Sequence, residues 1–231
     1  MKKYIIATMF LLLCLGANAQ FNISYAVGYG GYKMNEMKQL LETAFNTVVT
    51  TMPVGTRIVD NFPPYITQNL DLSYKFNRHE LGLKSSFLTT GGKIAYSDYS
   101  GKYVEKLTLN GYRVGAMYRI NFGERKFDAC TWSFFGELSP AITFTKLKYK
   151  ATLDIYDPKV HQTAPDNVST NETGLSLQPL VGSRLSLTRT ISFFVSLGYD
   201  FEFGSKLATT NDMYRADWSG FRMNGGTTFS F

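Results

Sequence analysis

The sequence predicts an all-β protein, an eight-stranded antiparallel transmembrane up-and-down β-barrel with an amphipathic helix in its first extracellular loop. The strongest observation is that two long runs, 191–203 and 218–231, alternate between large apolar residues and small or polar ones. A period of two indicates strands with unlike faces, and strands that cross lipid must close into a barrel because lipid cannot pair an open edge. A second observation is that no apolar run after residue 19 approaches the ~18 residues that a membrane helix needs. The third is that short and long connections alternate along the chain.

The first nineteen residues have the composition of a secretory signal peptide, in which two lysines precede an apolar run that ends in Ala17-Asn18-Ala19. The predicted domains are therefore a signal peptide over 1–19 and one outer-membrane β-barrel domain over 20–231. The formal net charge of +6 at pH 7 includes two lysines of the leader and is too mild to indicate a nucleic-acid partner. Cys130 is the only cysteine outside the leader, which excludes an internal disulfide.

Eight segments alternate with period two, and in each most of the large apolar residues share one parity; Phe194 is an exception in the segment that begins at Ile191. These segments begin near Ile23, Leu70, Leu81, Tyr112, Trp132, Leu175, Ile191 and Phe221. The predicted connections between them are residues 32–64, 77–79, 91–104, 123–130, 149–173, 188–190 and 205–217. An even number of strands with alternating connection lengths is typical of a single-chain membrane barrel whose termini both lie on the side of the short turns.

The polar face of these strands carries ten charged residues, and energetics place that face inside the barrel. The ten are Asp71, Lys75, Lys84, Arg113, Arg119, Glu137, Arg184, Asp200, Glu202 and Arg222. A Lys or Arg that faces lipid near the bilayer midplane costs about 2–4 kcal/mol, so six of them would exceed the ~5–15 kcal/mol stability of an ordinary domain. An eight-stranded barrel has room only for side chains. We therefore expect a paired ionic network that fills the lumen, because an unpaired buried charge is very costly.

With these features the chain resembles the small eight-stranded outer-membrane β-barrel families of Gram-negative bacteria, which include the OmpA-type transmembrane domain and the outer membrane protein beta-barrel domain family. The resemblance covers 20–231 and rests on the leader, the eight strands, the loop asymmetry and the terminal aromatic Phe231. It implies a location in the cell outer membrane with both termini periplasmic, contact with outer-membrane lipid, and Phe231 as the signal read by the barrel assembly machinery. These features are architectural, so they predict fold and location better than activity.

The first long connection contains a helical apolar stripe over residues 35–49, with Asn35 as the expected N-cap. The stripe includes Met37, Leu40, Leu41, Phe45 and Val48. A helix of this length is marginal alone in water, so its apolar side must rest on a surface. That surface is the helix's own loops over the extracellular mouth, another outer-membrane protein, or the lipid interface. Few Lys or Arg flank the helix, which weakens the interfacial alternative.

The sequence contains two histidines, and neither lies in a recognisable catalytic motif. His79 lies in a predicted tight turn, and His161 lies near acidic residues without metal-ligand spacing, in a connection where Pro158 and Pro165 predict irregular structure. We therefore predict no catalytic residue, cofactor or metal, and a non-enzymatic structural, accessory or surface-binding protein. One alternative is an enzyme acting on lipid or an envelope substrate, which a cavity with His161 beside a carboxylate would favour. The other is a small channel, which a water path through the lumen would favour.

Overall fold

The computed structural model describes residues 19–50, 55–156, 159–163, 170–204, 207–209 and 212–231, so the predicted signal peptide up to residue 18 lies outside the described part. The elements in chain order are β1 Ala19–Gly30, α1 Asn35–Val49, β2 Arg57–Asn61, β3 Tyr65–Phe76, β4 His79–Ser97, β5 Gly101–Lys126, β6 Thr131–Ile155, β7 Val160–Thr163, β8 Thr170–Ser186, β9 Ile191–Phe203, β10 Leu207–Thr209, β11 Asp212–Tyr214 and β12 Gly220–Ser230. No helix within these residues is long and apolar enough to cross a membrane.

Eight of the strands form a closed antiparallel ring, which confirms the predicted fold class. The order around the ring is β1, β3, β4, β5, β6, β8, β9 and β12, and β12 pairs again with β1. In this closing pair Asn22 lies opposite Ser230, and Gly30 lies opposite Arg222. The last residue continues the ladder, since the Phe231 amide donates to the Phe21 carbonyl over 2.8 Å. Each strand of the ring therefore has two neighbours, as a strand in lipid requires.

The two faces of the ring follow the alternation that the sequence predicts. The outward face carries exposed apolar side chains, among them Tyr25, Leu83, Val114, Phe134, Ile142, Val181, Val195 and Phe221. The inward face carries buried polar and charged side chains, among them Ser24, Asp71, Lys84, Arg113, Glu137, Ser196 and Arg222. A continuous apolar belt of this extent is far larger than the patches that soluble proteins expose, so the belt faces lipid.

Three strands run beyond the belt, and here the predicted connections are wrong. Residues 91–104 form no long loop, because β4 and β5 stay paired up to Ser97 opposite Lys102. Pairing of β5 with β6 likewise continues to Gly101 opposite Ile155, inside the connection predicted over 149–173. With β2 on β4 and β7 on β6, these strands form a five-stranded sheet at the end of the barrel away from the termini. We call it the extracellular sheet, after the orientation that the sequence predicts. The strands continue because their inward side chains find an apolar partner in α1, which covers this sheet.

The helix α1 starts as predicted, but its N-cap differs. Met34 is the N-cap residue, with φ of 44° and no side-chain cap hydrogen bond, whereas Asn35 is the first helical residue. Met34 is fully buried, and its backbone amide donates to the Asp217 carbonyl over 3.2 Å. Glu36 in the first turn accepts a hydrogen bond from the Arg215 amide at 2.6 Å. The burial of Met34 and its pairing with the segment before β12 therefore fix the start of the helix, in place of a polar cap.

Candidate functional site: the filled lumen and its extracellular cap

The centre of the lumen is the Arg119 guanidinium, which three carboxylates surround. Its nitrogens lie 2.6 Å from Glu137, 3.2 Å from Glu80 and 3.3 Å from Asp71. The guanidinium also lies over the Phe135 ring, 4.6 Å from its centroid. Arg119 projects from β5 and Glu137 from β6, where the two residues are directly opposite in register. A fully buried cation thus has both ionic and aromatic partners, as its desolvation requires.

Further ion pairs extend this centre in both directions. Lys84 lies 2.6 Å from Glu137, and Arg184 lies 3.2 Å from Glu80. Glu80 also accepts a hydrogen bond from the Ser73 hydroxyl at 2.5 Å. Glu80 is not among the ten predicted network residues, although its parity in β4 is that of the inward residue Lys84. Parity alone would have placed Glu80 in the lumen, since side chains two apart on a strand share a face.

A second ionic group lies nearer the end of the barrel away from the termini. Asp200 lies 3.6 Å from both Arg113 and Arg222. Arg113 also donates to the Ser176 hydroxyl at 2.9 Å, and Arg222 donates to the carbonyl of Trp218 at 2.6 Å. These bonds engage both guanidinium groups and hold them across the lumen. The two ionic groups together fill the interior of the barrel with charged side chains from most strands of the ring.

Two of the ten predicted network residues have other surroundings. Glu202 is buried, but its carboxylate accepts the Trp218 backbone amide at 2.5 Å and makes no ion pair among the described residues. The expectation that Glu202 neutralises a lumen cation is therefore wrong, because the chain before β12 supplies its partner. Lys75 is half-buried and lines the opening at the end with the short turns. That opening is a cavity of about 780 Å³ whose lining includes Arg78, Asn121 and Arg184.

The opposite end of the lumen is closed by an apolar cluster, here called the cap. Its buried members are Tyr32, Met34, Met37, Leu41, Phe62, Leu88, Ile94, Leu107, Leu109, Leu147, Ala216 and Trp218. The Trp218 ring meets the Tyr32 ring edge-on at 5.0 Å, and its indole N–H donates to the Thr145 hydroxyl at 2.8 Å. The cap thus joins the helix, the extracellular sheet and the segment before β12.

The helical stripe predicted from the sequence points into this cap. Met37 and Leu41 are fully buried, Leu40 and Phe45 are partly buried against the cluster, and Val48 is half-buried. The helix packs closely on β4 at Gly92, where a side chain would not fit without a shift of its neighbours. A Cβ at this position would lie 2.7 Å from the Leu41 side chain and 3.0 Å from Phe62. The exposed face of α1 carries Gln39, Glu42, Thr43 and Asn46. Of the three surfaces considered for the stripe, this geometry favours the helix's own chain over the mouth, but strands supply much of that surface in place of loops.

The two histidines have different surroundings. His79 Nδ1 lies 2.8 Å from the Tyr118 hydroxyl, and its ring stacks on Phe76 at the end with the short turns. His161 contacts Asp154 through Nδ1, and its Nε2 lies 3.1 Å from the Thr163 hydroxyl. This second group borders a shallow surface depression of about 510 Å³ on the extracellular sheet. No set of three His, Cys, Asp or Glu residues in the described ranges is arranged to hold a metal ion.

No protein-family model matches the sequence, and no curated protein matches it. Among solved structures, the chain is similar to the outer membrane protein OprG of Pseudomonas aeruginosa, at 12% identity with a TM-score of 0.47 over 93% of this chain and 96% of that one. It is similar to Neisserial surface protein A at 12% identity with a TM-score of 0.45, over 91% of this chain and 97% of that one. It is similar to Ail of Yersinia pestis at 13% identity with a TM-score of 0.35, over 93% of this chain and 99% of that one. Such likeness concerns the fold alone, so activity and binding must be argued from the side chains.

Proposed function

We propose that this protein is a non-conducting barrel of the bacterial outer membrane that carries an ordered extracellular layer for binding at the cell surface. In this proposal both termini are periplasmic, because they lie at the end with the short turns, and the cap faces outward. The observation that carries the proposal is the filled interior. The ion pairs around Arg119 and the cap formed by α1 occupy the lumen in series. The interior of an eight-stranded barrel is just wide enough for side chains, so this filling leaves little room for a solute.

The extracellular layer supports a binding role more than a purely structural one. An anchor needs only short loops, whereas β4, β5 and β6 extend well above the belt and carry two further strands and a helix. The cap gives this layer its own apolar core. A rigid scaffold that holds an exposed surface in fixed geometry reduces the entropy lost when that surface binds.

Single-channel recording in planar bilayers tests the proposal. We expect the wild-type protein to insert without stable conductance of porin size. A matched variant combines Arg119→Ala, Glu137→Ala and Phe135→Ala at the lumen centre with Trp218→Ala in the cap. Because it removes side chains from both of the layers that close the lumen, we expect it to leak. Heat-modifiable migration on gels establishes that each protein is folded before recording. Reproducible large conductance of the folded wild type would contradict the proposal.

A second candidate function, hydrolysis at the extracellular surface, is favoured by one observation. Asp154, His161 and Thr163 have the order of contacts found in an acid–base–nucleophile triad, with Asp154 at Nδ1 and Thr163 at Nε2 of the imidazole. The His161 and Asp154 side chains are 68% and 39% exposed, however, and water weakens the electrostatic stabilisation on which such catalysis depends. This exposure makes the binding role the better supported of the two.

Ester hydrolysis by the detergent-solubilised protein decides between them. Activity that is lost in both His161→Ala and Thr163→Ala but retained in His79→Ala would establish the second function. Activity absent from the wild type, or unchanged in all three variants, would remove it. His79→Ala is the matched control, because it changes the other histidine at the opposite end of the barrel.

A further inference from the structure

The outward face of the extracellular sheet is rich in lysine. Six lysines share this face: Lys93, Lys102, Lys106, Lys146, Lys148 and Lys150. Their orientation follows from the register, because the residues of opposite parity on the same strands, such as Ile94, Leu107 and Leu147, are buried in the cap. We call these six residues the lysine face. It lies on the same side of β4, β5 and β6 as the lipid-facing belt.

Three of the six lysines are placed directly against one another. Lys93 lies directly opposite Lys106, which lies directly opposite Lys150, so three cations stand in one row across three strands. Neighbouring strands are about 4.8 Å apart, which brings three ammonium-bearing chains within about 10 Å. Like charges directly opposite on a sheet are destabilising. An arrangement that costs stability in the free protein is explained if an anion neutralises it.

Two acidic residues border the lysine face, and neither forms an ion pair with it. Asp60 lies opposite Lys93 and Asp154 lies opposite Lys102, so each borders the lysine face at one edge. Asp154 is engaged by His161. Among the described residues, no member of the lysine face makes an ion pair within 4.0 Å, while the lysine and arginines of the lumen centre all do.

The height of the lysine face identifies the anions that it meets. On β6 the outward residues of the belt end at Phe144, and the next outward residue is Lys146. Two residues along a strand span about 7 Å, less if the strand is tilted. The Phe87 and Tyr112 rings pack at 5.2 Å at the same level of the neighbouring strands, as in the aromatic girdle at a membrane interface. The lysines therefore begin at the level of the lipid headgroups and continue outward.

We propose that the lysine face binds the phosphate groups of an anionic glycolipid in the outer leaflet around the barrel. This inference rests on the proposed function, which places the cap end outside. A soluble polyanion fits less well, because the face is continuous with the lipid-facing side and stands over the surrounding membrane. Lysine suits this ligand, since its ammonium group binds phosphate as a mobile point charge and tolerates variable headgroup geometry.

Native mass spectrometry of the detergent-solubilised full protein with bisphosphorylated lipid A, or with its dephosphorylated form, tests the proposal. We expect the wild type to prefer the bisphosphorylated form at least about tenfold, because each lysine near an anionic surface contributes about fivefold in affinity. The variant Lys146→Gln, Lys148→Gln, Lys150→Gln should lose this preference. The control variant Lys33→Gln, Lys126→Gln, Lys159→Gln has the same change in charge at exposed sites off the face and should keep it.

Three outcomes would overturn the proposal. Equal binding of the two lipid forms by the wild type would show that phosphate is not recognised. An equal loss in both triple variants would show that only the overall charge matters. Competition by inorganic phosphate at concentrations comparable to the lipid would show that the site serves a free anion. None of these outcomes depends on bilayer conductance, so failure of the lipid site and failure of the sealed-barrel proposal are distinguishable.

Discussion

The lumen and the cap are built from the same strands, yet their interiors have opposite chemistry. Within the membrane β5 turns Arg113 and Arg119 inward and Val114 outward, whereas above the belt it turns Leu107 and Leu109 inward and Lys106 outward. The period of two along β5 is the same in both regions, but the surroundings of its outward face change from lipid to water. Lipid requires an apolar exterior and leaves the polar residues to pair inside, while water above the membrane restores the usual apolar interior. The strand pattern thus records where the membrane ends.

The two regions are joined by a small group of residues at their boundary. The Arg222 guanidinium, which belongs to the ionic network, lies 4.9 Å from the centroid of the Tyr32 ring, which belongs to the cap. Trp218 packs on the same tyrosine, and its backbone amide donates to Glu202. Because these residues contact both regions, we expect a change in either region to affect the order of the other.

The largest loss of stability is expected from Arg119→Leu, which changes a residue of the lumen and none of the cap. It leaves Glu80, Glu137 and Asp71 without their shared cation, and breaking a buried ionic group in this way costs about 3–5 kcal/mol. The midpoint of unfolding in urea, followed by heat-modifiable migration, should fall accordingly. Arg125→Leu, at an exposed position on the same strand, should change the midpoint little. Equal midpoints for the two variants would show that the network does not hold the barrel together.

A somewhat smaller effect is expected in the cap from Leu41→Ala. Removal of a fully buried leucine costs about 2–5 kcal/mol, and here the loss should appear as release of α1 while the barrel stays folded. Limited proteolysis of intact vesicles should then cleave residues 35–49, whereas heat-modifiable migration should be retained. Glu42→Ala changes the next residue on the exposed face and should remain resistant. Cleavage of both variants at the same rate would mean that the stripe does not hold the helix.

Trp218→Phe tests the hydrogen bond that Trp218 makes at the boundary between the lumen and the cap. The change keeps an aromatic ring against Tyr32 but removes the indole N–H that Thr145 accepts, and a lost hydrogen bond to a buried group costs about 1–3 kcal/mol. Thermal unfolding should show this cost. When Thr145→Val is combined with it, the double variant should lose less than the sum of the two single variants, because both remove the same bond. Additive losses would show that the bond contributes nothing.

The smallest effect concerns the tip of the extracellular sheet, where Asp98 organises the turn between β4 and β5. Hydrogen bonds from the Tyr96 hydroxyl and from Ser100 lower the pKa of Asp98 from its ordinary value of 3.8 to about 2. A lowered pKa means that the turn is stabilised above about pH 4 and loses this support as the pH falls through about 2. Titration of the carboxyl carbon by NMR checks the value. In Tyr96→Phe the pKa should move back toward 3.8, and an unchanged pKa would exclude this cause.

Much of the barrel could be predicted, because the face on which a strand residue lies depends only on its position in that strand. Parity assigns each residue a face, and the cost of charge in lipid decides which face points inward, so the inward placement of Arg119 or Glu137 needs no knowledge of distant residues. The partner of Glu202 could not be found in this way. Its carboxylate binds the Trp218 amide, which lies in a segment without periodicity. The role of Phe231 as an assembly signal stays a prediction.

The cap was harder to predict, because it combines elements that are distant in the chain. The stripe on α1 predicted an apolar surface for the helix, but not that Ile94, Leu107 and Leu147 would supply it. On their strands the outward residues change from apolar to lysine above the belt, and the end of apolar alternation was interpreted as the start of loops. The period of two in fact continues, with the polarity of its two faces reversed.

Hydrogen–deuterium exchange of the reconstituted protein tests the central claim, that cap and lumen form one folded structure, most directly. A helix as short as α1 exchanges within seconds when it is isolated in water. If the cap holds α1 as the structure shows, the amides between Met37 and Val48 should be protected for times comparable to those of the extracellular part of β5 in the same sample. Exchange of these amides within seconds, while the strands of the ring stay protected, would contradict the account.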